Sequence, residues 1–186
     1  YADLVIAKND NAARHKTYIN NKAASFNAMG WTEQAQWAPP AEVDFNNGYT
    51  LTDVNGDGLP DIFYLCGEQA KVYINNGRGW TSSPGSVWTY VPGYPDIKSG
   101  KVQLVDINAD SLVDIVNVDA GVTVVYVNTG NGWYKDTTSW QFASNAHFEN
   151  ASTKFGDFNA DGAIDYMISI DPDFPMKFYQ NNAVNT

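Results

Sequence analysis

The chain is poor in several things at once, and each shortage excludes a class of function. Its 186 residues contain one cysteine, Cys66, so no intrachain disulfide can staple the fold. Cys66 ends the apolar run Ile62-Phe63-Tyr64-Leu65-Cys66 and reads as a small hydrophobe; the alternative is an unpaired thiol or an intermolecular bridge. Basic residues number 11 against 21 acidic ones, for a net charge of -10. That balance argues against nucleic acid, whose phosphates need Lys and Arg, and against an anionic membrane surface. No apolar run approaches the roughly 18 residues of a membrane span, so no membrane insertion is expected. Histidine is limited to His15 and His147, isolated and without zinc-type spacing. Glutamate is limited to Glu33, Glu42, Glu68 and Glu149, with no evident acid pair. There is no nucleophile elbow and no phosphate loop. The expectation is that the chain is not an enzyme. A sustained 3.6-residue apolar period is also absent, which removes helical architectures.

What is present is a repeat. Three segments align without gaps: Asp53-Val-Asn-Gly-Asp-Gly-Leu-Pro-Asp61, Asp106-Ile-Asn-Ala-Asp-Ser-Leu-Val-Asp114 and Asp157-Phe-Asn-Ala-Asp-Gly-Ala-Ile-Asp165. Their starts lie 53 and 51 residues apart. Each leads into a β-type run: Ile62 to Leu65, Ile115 to Val118, Tyr166 to Ile170. A second block recurs as Lys71-Val-Tyr-Ile-Asn-Asn-Gly-Arg-Gly-Trp80 and Val124-Val-Tyr-Val-Asn-Thr-Gly-Asn-Gly-Trp133. Lys16 to Asn21 is a diverged copy, and Lys177 to Asn182 a truncated one. Alternating side chains and Asn-Asn-Gly or Asn-Thr-Gly turns predict antiparallel hairpins. About four short strands per repeat of about 50 residues is the size of one propeller blade. The fold class expected is therefore all-β: a propeller-like array of four-stranded antiparallel blades. Repeat boundaries fall near 1–42 (partial), 43–97, 98–147 and 148–186 (partial). The six tryptophans keep the same period, either as packing between blades or as stacking platforms for sugar rings or a partner.

The loops concentrate nine of the 21 acidic residues. Oxygens at positions 1, 3, 5, 7 and 9 suit Ca²⁺, a hard cation that takes six to eight oxygen ligands. The candidate ligands are Asp53, Asn55, Asp57, the Leu59 carbonyl and Asp61 in the first loop. They are Asp106, Asn108, Asp110, the Leu112 carbonyl and Asp114 in the second. In the third they are Asp157, Asn159, Asp161, the Ala163 carbonyl and Asp165. Three ions would bring the net charge to about -4, ordinary for a soluble domain. Gly58 and Gly162 at position 6 permit a sharp turn, and Ser111 stands there in the second loop, predicting a strained or a weaker site. The first half resembles an EF-hand, but position 12 holds Tyr64, Asn117 and Ile168 instead of glutamate. The competing reading is a set of Asx-rich turns without metal.

Taken together, these repeats resemble the FG-GAP/VCBS family, the calcium-binding blades of integrin-α-like propellers. Phe155-Gly156 before the third loop matches the "FG" element. Leu51-Thr52 and Leu104-Val105 are closer to the VCBS style. The resemblance implies structural Ca²⁺, about three ions, on one face of a propeller, and a protein or glycan ligand bound elsewhere, as in adhesion receptors and lectins. It implies a secreted or cell-surface setting; the sequon Asn150-Ala151-Ser152 adds slightly to that. The alternative is a scaffold or assembly subunit of a filament, surface layer or toxin complex. About three and a half repeats are present, so a larger propeller of about seven blades is expected. The remaining blades of a parent chain, or neighbouring copies, would cover the end faces. Tyr1-Ala2-Asp3-Leu4 aligns with Leu59-Pro60-Asp61-Ile62, which makes Asp3 the expected ninth-position residue of a further loop.

Overall fold

In the computed structural model the residues described are 3–8, 14–22, 30–66, 69–83, 87–89, 91, 93, 95–119, 122–143, 146, 148, 153–169 and 176–182. The sequon, His147, Glu68 and Glu149 lie outside them. Strands follow the repeat. The first sheet is β1 (Leu4–Ile6), β2 (Lys16–Asn20) and β3 (Trp31–Glu33). The second is β4 (Tyr49–Thr52), β5 (Asp61–Cys66), β6 (Gln69–Asn75) and β7 (Trp80–Ser82). The third repeats it as β8 (Val102–Val105), β9 (Asp114–Asp119), β10 (Val122–Asn128) and β11 (Trp133–Asp136). The fourth is β12 (Thr153–Gly156), β13 (Asp165–Ile168) and β14 (Lys177–Tyr179). All pairings are antiparallel and join sequence neighbours. This is the expected all-β, propeller-like architecture. β13 runs from Asp165 to Ile168; the run read from the sequence extends to Ile170, which lies outside the described residues. No helix among the described residues is long and apolar enough to cross a membrane.

Strict inside–outside alternation is absent from the two middle sheets because neighbours cover both their faces. Along β5, Ile62 and Tyr64 face the first sheet's side, joining Ala7, Val43, Tyr49 and Tyr73. Phe63 and Leu65 face the third sheet, packing with Val72, Val102, Ile115, Tyr126 and Trp133. The third sheet's other face gives Val116, Val118 and Val125 to a cluster with Phe148 and Ile168. Fully burying such side chains stabilises by roughly 1.5–3 kcal/mol each, so these inter-sheet cores dominate. The outer faces differ: Leu4 and Ile6 at one end, and Phe158 and Phe178 at the other, are exposed. Cys66 is half-buried at the end of β5, less enclosed than its apolar run suggested.

Tight turns fix the register. Gly77 and Gly79 adopt φ of 75° and 150°, and Gly130 and Gly132 follow with 69° and 122°. The result sets Asn75 opposite Trp80 and Asn128 opposite Trp133. The tryptophans then act between sheets. The Trp80 indole donates to the Trp37 carbonyl at 2.8 Å, and the Trp133 indole to the Trp88 carbonyl at 3.1 Å. This is the packing role; only Trp31, at 41% exposure, stands out from the surface as a platform could. His15 is buried, its ring nitrogens within 3.0 Å of the Pro40 and Lys8 carbonyl oxygens, a packing residue.

Candidate functional site: three aspartate-rich loops

Each loop joins the first two strands of its sheet, and all three have the same internal wiring. The position-1 carboxylate collects backbone N–H groups from positions 5 and 6: Asp57 at 3.2 Å and Gly58 at 2.7 Å on Asp53, Asp110 and Ser111 on Asp106, Asp161 and Gly162 on Asp157. The position-3 asparagine oxygen accepts the position-5 N–H, and its amide donates to the position-5 carboxylate at 3.0, 2.9 and 2.8 Å. The position-5 carboxylate accepts the N–H of Leu59, Leu112 or Ala163. For so many N–H groups to point inward, positions 4 and 6 take left-handed backbone. Gly56 and Gly58 do this freely, whereas Ala109 (φ 62°), Ser111 (φ 71°) and Ala160 (φ 61°) do it against their Cβ atoms. The strain expected at Ser111 is present, and Ala109 and Ala160 share it.

Position 9 is different. Asp61 and Asp114 are 0% exposed and Asp165 nearly so. One oxygen accepts the position-2 N–H: Val54 at 3.1 Å, Ile107 at 2.9 Å, Phe158 at 3.2 Å. The other accepts the N–H of the asparagine that ends the third strand in the second and third sheets, Asn75 at 2.7 Å and Asn128 at 2.7 Å, and of Asn181, two residues past β14, at 2.8 Å. Asp3 accepts from Asn20 at 2.9 Å in the same way, which places it as the ninth-position equivalent in the first sheet. Burial pushes Asp61 up to about 6 and Asp114 up to about 7; the two N–H bonds pull down, and the loop's other carboxylates add to the rise. Asp161, fully exposed, is lowered by the Ala163 N–H and Asn159.

Those asparagines do a second job that sequence reading missed. The Asn128 amide donates to the Val54 carbonyl in the preceding sheet's loop, and the Asn181 amide to the Ile107 carbonyl, both at 2.8 Å and both across 74 residues. The recurring Asn before each glycine turn was the available signal. Its local neighbours mark it only as a turn former, because the partner lies one repeat away.

The donor set fits a hard divalent cation: every side chain at positions 1, 3, 5 and 9 offers oxygen, and position 7 a carbonyl. A carboxylate oxygen that accepts one N–H keeps a lone pair for a metal. Among the described residues, no three acidic, imidazole or thiol groups already converge as a metal cluster. The loop carboxylates instead hold their own backbone.

The FG-GAP-like repeat model matches residues 53–116 and 106–168, more than half of the chain, and the chain belongs to that family. No curated protein matches it. Among solved structures, the Photorhabdus luminescens Tc holotoxin pore aligns over 97% of this chain and 9% of that chain, at 17% identity and a TM-score of 0.59. An Agrocybe aegerita lectin, described for specific recognition of non-reducing terminal N-acetylglucosamine, aligns over 92% of this chain and 48% of its own, at 15% identity and a TM-score of 0.56. The chain thus spans less than half the length of either structure. At these identities the likeness is one of fold.

Proposed function

We propose that this member of the FG-GAP-like repeat family is a calcium-binding propeller module of a secreted or cell-surface protein, with structural Ca²⁺ and a protein or glycan ligand. The observation that carries the reading is the threefold recurrence of one oxygen set on one loop scaffold. Asp53, Asn55, Asp57 and Asp61, with the Leu59 carbonyl, would hold one ion. The corresponding residues from Asp106 to Asp114 and from Asp157 to Asp165 would hold two more. The cation would offset the mutual repulsion of three carboxylates and tie each loop to the strand that Asp61, Asp114 or Asp165 begins. Loops of modest affinity, roughly 10⁻⁴–10⁻³ M, suit extracellular calcium. At tenfold the dissociation constant each site adds about 1.4 kcal/mol, and three add about 4 kcal/mol. The reading assigns the chain no chemistry of its own. Calorimetric titration should find about three sites, with Asp61→Ala, Asp114→Ala and Asp165→Ala each deleting one. A folded sample that takes up none at millimolar Ca²⁺ overturns it.

A scaffold or assembly role is the second reading. The similarity to a part of a toxin assembly and the apolar end faces at Leu4, Ile6, Phe158 and Phe178 favour it. Particle size with and without chelator separates the two: a binding module stays monomeric in both, whereas an assembly subunit grows with concentration.

A further inference from the structure

The three loops are wired to one another as well as within themselves. Asn128 ends β10. Its backbone N–H sits on the Asp114 carboxylate of the second loop, while its side-chain amide holds the Val54 carbonyl of the first. The Val54 N–H in turn sits on Asp61. One asparagine and one short stretch of backbone thus join the ninth-position aspartates of two neighbouring loops. Asp165, Asn181, Ile107 and Asp114 repeat that run between the third loop and the second. The first pair of loops has a further contact. The Leu112 side chain, at position 7 of the second loop, lies against Gly56, at position 4 of the first. A Cβ on Gly56 would stand 2.7 Å from Leu112 Cδ2. Leu112 Cδ1 also reaches the turn at Gly130, 3.6 Å from where a Cβ would be. Between the third loop and the second, the same two positions hold Ala163 and Ala109, so no side chain of leucine's reach is available.

We propose that the second loop, once loaded with calcium, raises the calcium affinity of the first through Leu112 and Asn128, so that these two sites fill with positive cooperativity. This coupling rests on the calcium reading and adds regulation between its sites. A loop must be ordered to present its oxygens together, and ordering its backbone costs conformational entropy. Loading the second loop fixes Asp114, Asn128 and Leu112. Those residues hold Val54 and Gly56 where the closed first loop needs them. The next ion then meets a loop whose ordering is partly done. By linkage the first loop helps the second by the same factor. Direct charge has the opposite sign, because a loaded loop is less negative and attracts the next cation less. A positive coupling therefore distinguishes contact from field. The third loop, joined to the second by its asparagine alone, is coupled to it more weakly.

The test titrates the intact chain with Ca²⁺ and follows the amide resonances of Gly58, Ser111 and Gly162, one per loop, by ¹⁵N NMR. Salt at about 0.15 M screens charges beyond about 8 Å. Asp110→Ala deletes the second site by removing an exposed carboxylate. The midpoint at Gly58 should then rise at least about fivefold, the lower end of ordinary coupling factors, and the midpoint at Gly162 by less. Leu112→Ala keeps all five oxygens of the second loop, since position 7 contributes its carbonyl. It should raise the Gly58 midpoint, and adding Asp110→Ala to it should raise that midpoint less than Asp110→Ala does alone. If no resonance moves at millimolar Ca²⁺, the calcium reading fails and the coupling with it. If all three move in the unchanged chain but the Gly58 midpoint stays or falls in Asp110→Ala, calcium binding stands and the coupling is refuted. Equal shifts at Gly58 and Gly162, or an Asp110→Ala effect undiminished beside Leu112→Ala, also overturn it.

Discussion

Replacing Asn128 by alanine isolates the clamp that joins the second and third sheets. Its side chain is 0% exposed. Its amide donates to the Val54 carbonyl at 2.8 Å, and its oxygen accepts the Gly130 N–H at 3.0 Å and the Trp88 indole N–H at 3.2 Å. Asn128→Ala leaves three polar groups without that partner. A buried group left unsatisfied costs about 1–3 kcal/mol, and water can reach the turn at Gly130, so the loss should be about 3–5 kcal/mol. Asn75 is the internal control. It sits at the same repeat position, but its amide donates to Pro60 in its own sheet at 3.1 Å, beside solvent. Asn75→Ala should cost only about 1–2 kcal/mol. Asn128→Asp keeps the acceptor and turns an oxygen toward the Val54 carbonyl, so it should be at least as damaging as alanine. Urea denaturation, with the slope checked for unchanged exposure on unfolding, measures all three. If Asn128→Ala lies within 1 kcal/mol of Asn75→Ala, the clamp carries no special weight and the reasoning fails.

In chelator, stability should fall as pH rises from about 4 to 7, the reverse of the usual carboxylate effect. Asp61 and Asp114 have folded values raised to about 6 and about 7, so over this window the folded state holds protons that the unfolded chain has lost, and each raised unit is about 1.4 kcal/mol; a flat or rising urea midpoint would contradict the burial argument. Under the calcium reading, adding Ca²⁺ should flatten that slope between about pH 4 and 7 by favouring the ionised form, read from the same midpoints. Ala109→Gly, Ser111→Gly and Ala160→Gly should each stabilise by about 1 kcal/mol by relieving left-handed backbone, whereas Gly58→Ala should cost a similar amount although no atom lies within 4 Å of its new Cβ. Gly79→Ala should cost about 2–3 kcal/mol, because its Cβ would stand 2.7 Å from the Gln36 backbone oxygen, which cannot rotate away; thermal melts check both sets.

The strands and their order were legible because the local chemistry repeats. The β-branched and aromatic runs after Asp61, Asp114 and Asp165, and the Asn-x-Gly turns, fix hairpins within each sheet. What was not legible came from contacts between repeats. The residue pattern of Ile62-Phe63-Tyr64-Leu65 shows an apolar strand. It does not show that Phe63 meets Trp133 while Ile62 meets Tyr49. The asparagine clamps escaped for the same reason: a 74-residue separation has no local signature. The strain at Ser111 is legible because a glycine stands at the same place in two sister loops. Ala109 and Ala160 carry a weaker signal, because only one of the three loops, at Gly56, offers glycine for comparison.

The ninth-position aspartate explains why loop and fold are inseparable here. Asp61 accepts N–H groups from its own loop at Val54 and from the turn at Asn75, so its carboxylate closes a bridge between the start of the loop and the end of the next hairpin. Asn128 then fixes the Val54 carbonyl from the following sheet. One residue, Val54, is therefore held by its N–H within its own sheet and by its C=O from the next. Ile107 repeats this with Asp114 and Asn181. A carboxylate has about four lone-pair positions, and the two N–H bonds occupy only half of them. The remaining half can face a cation without breaking the bridge. An ion at positions 1, 3, 5 and 9 would consequently stiffen the junction between sheets as well as the loop. On this reasoning Asp114→Ala should loosen packing at Ile107, in the same loop, and through it at Asn181, a sheet away from the lost ligand, and faster amide exchange at Asn181, compared with Asp110→Ala, is the measurement that decides it.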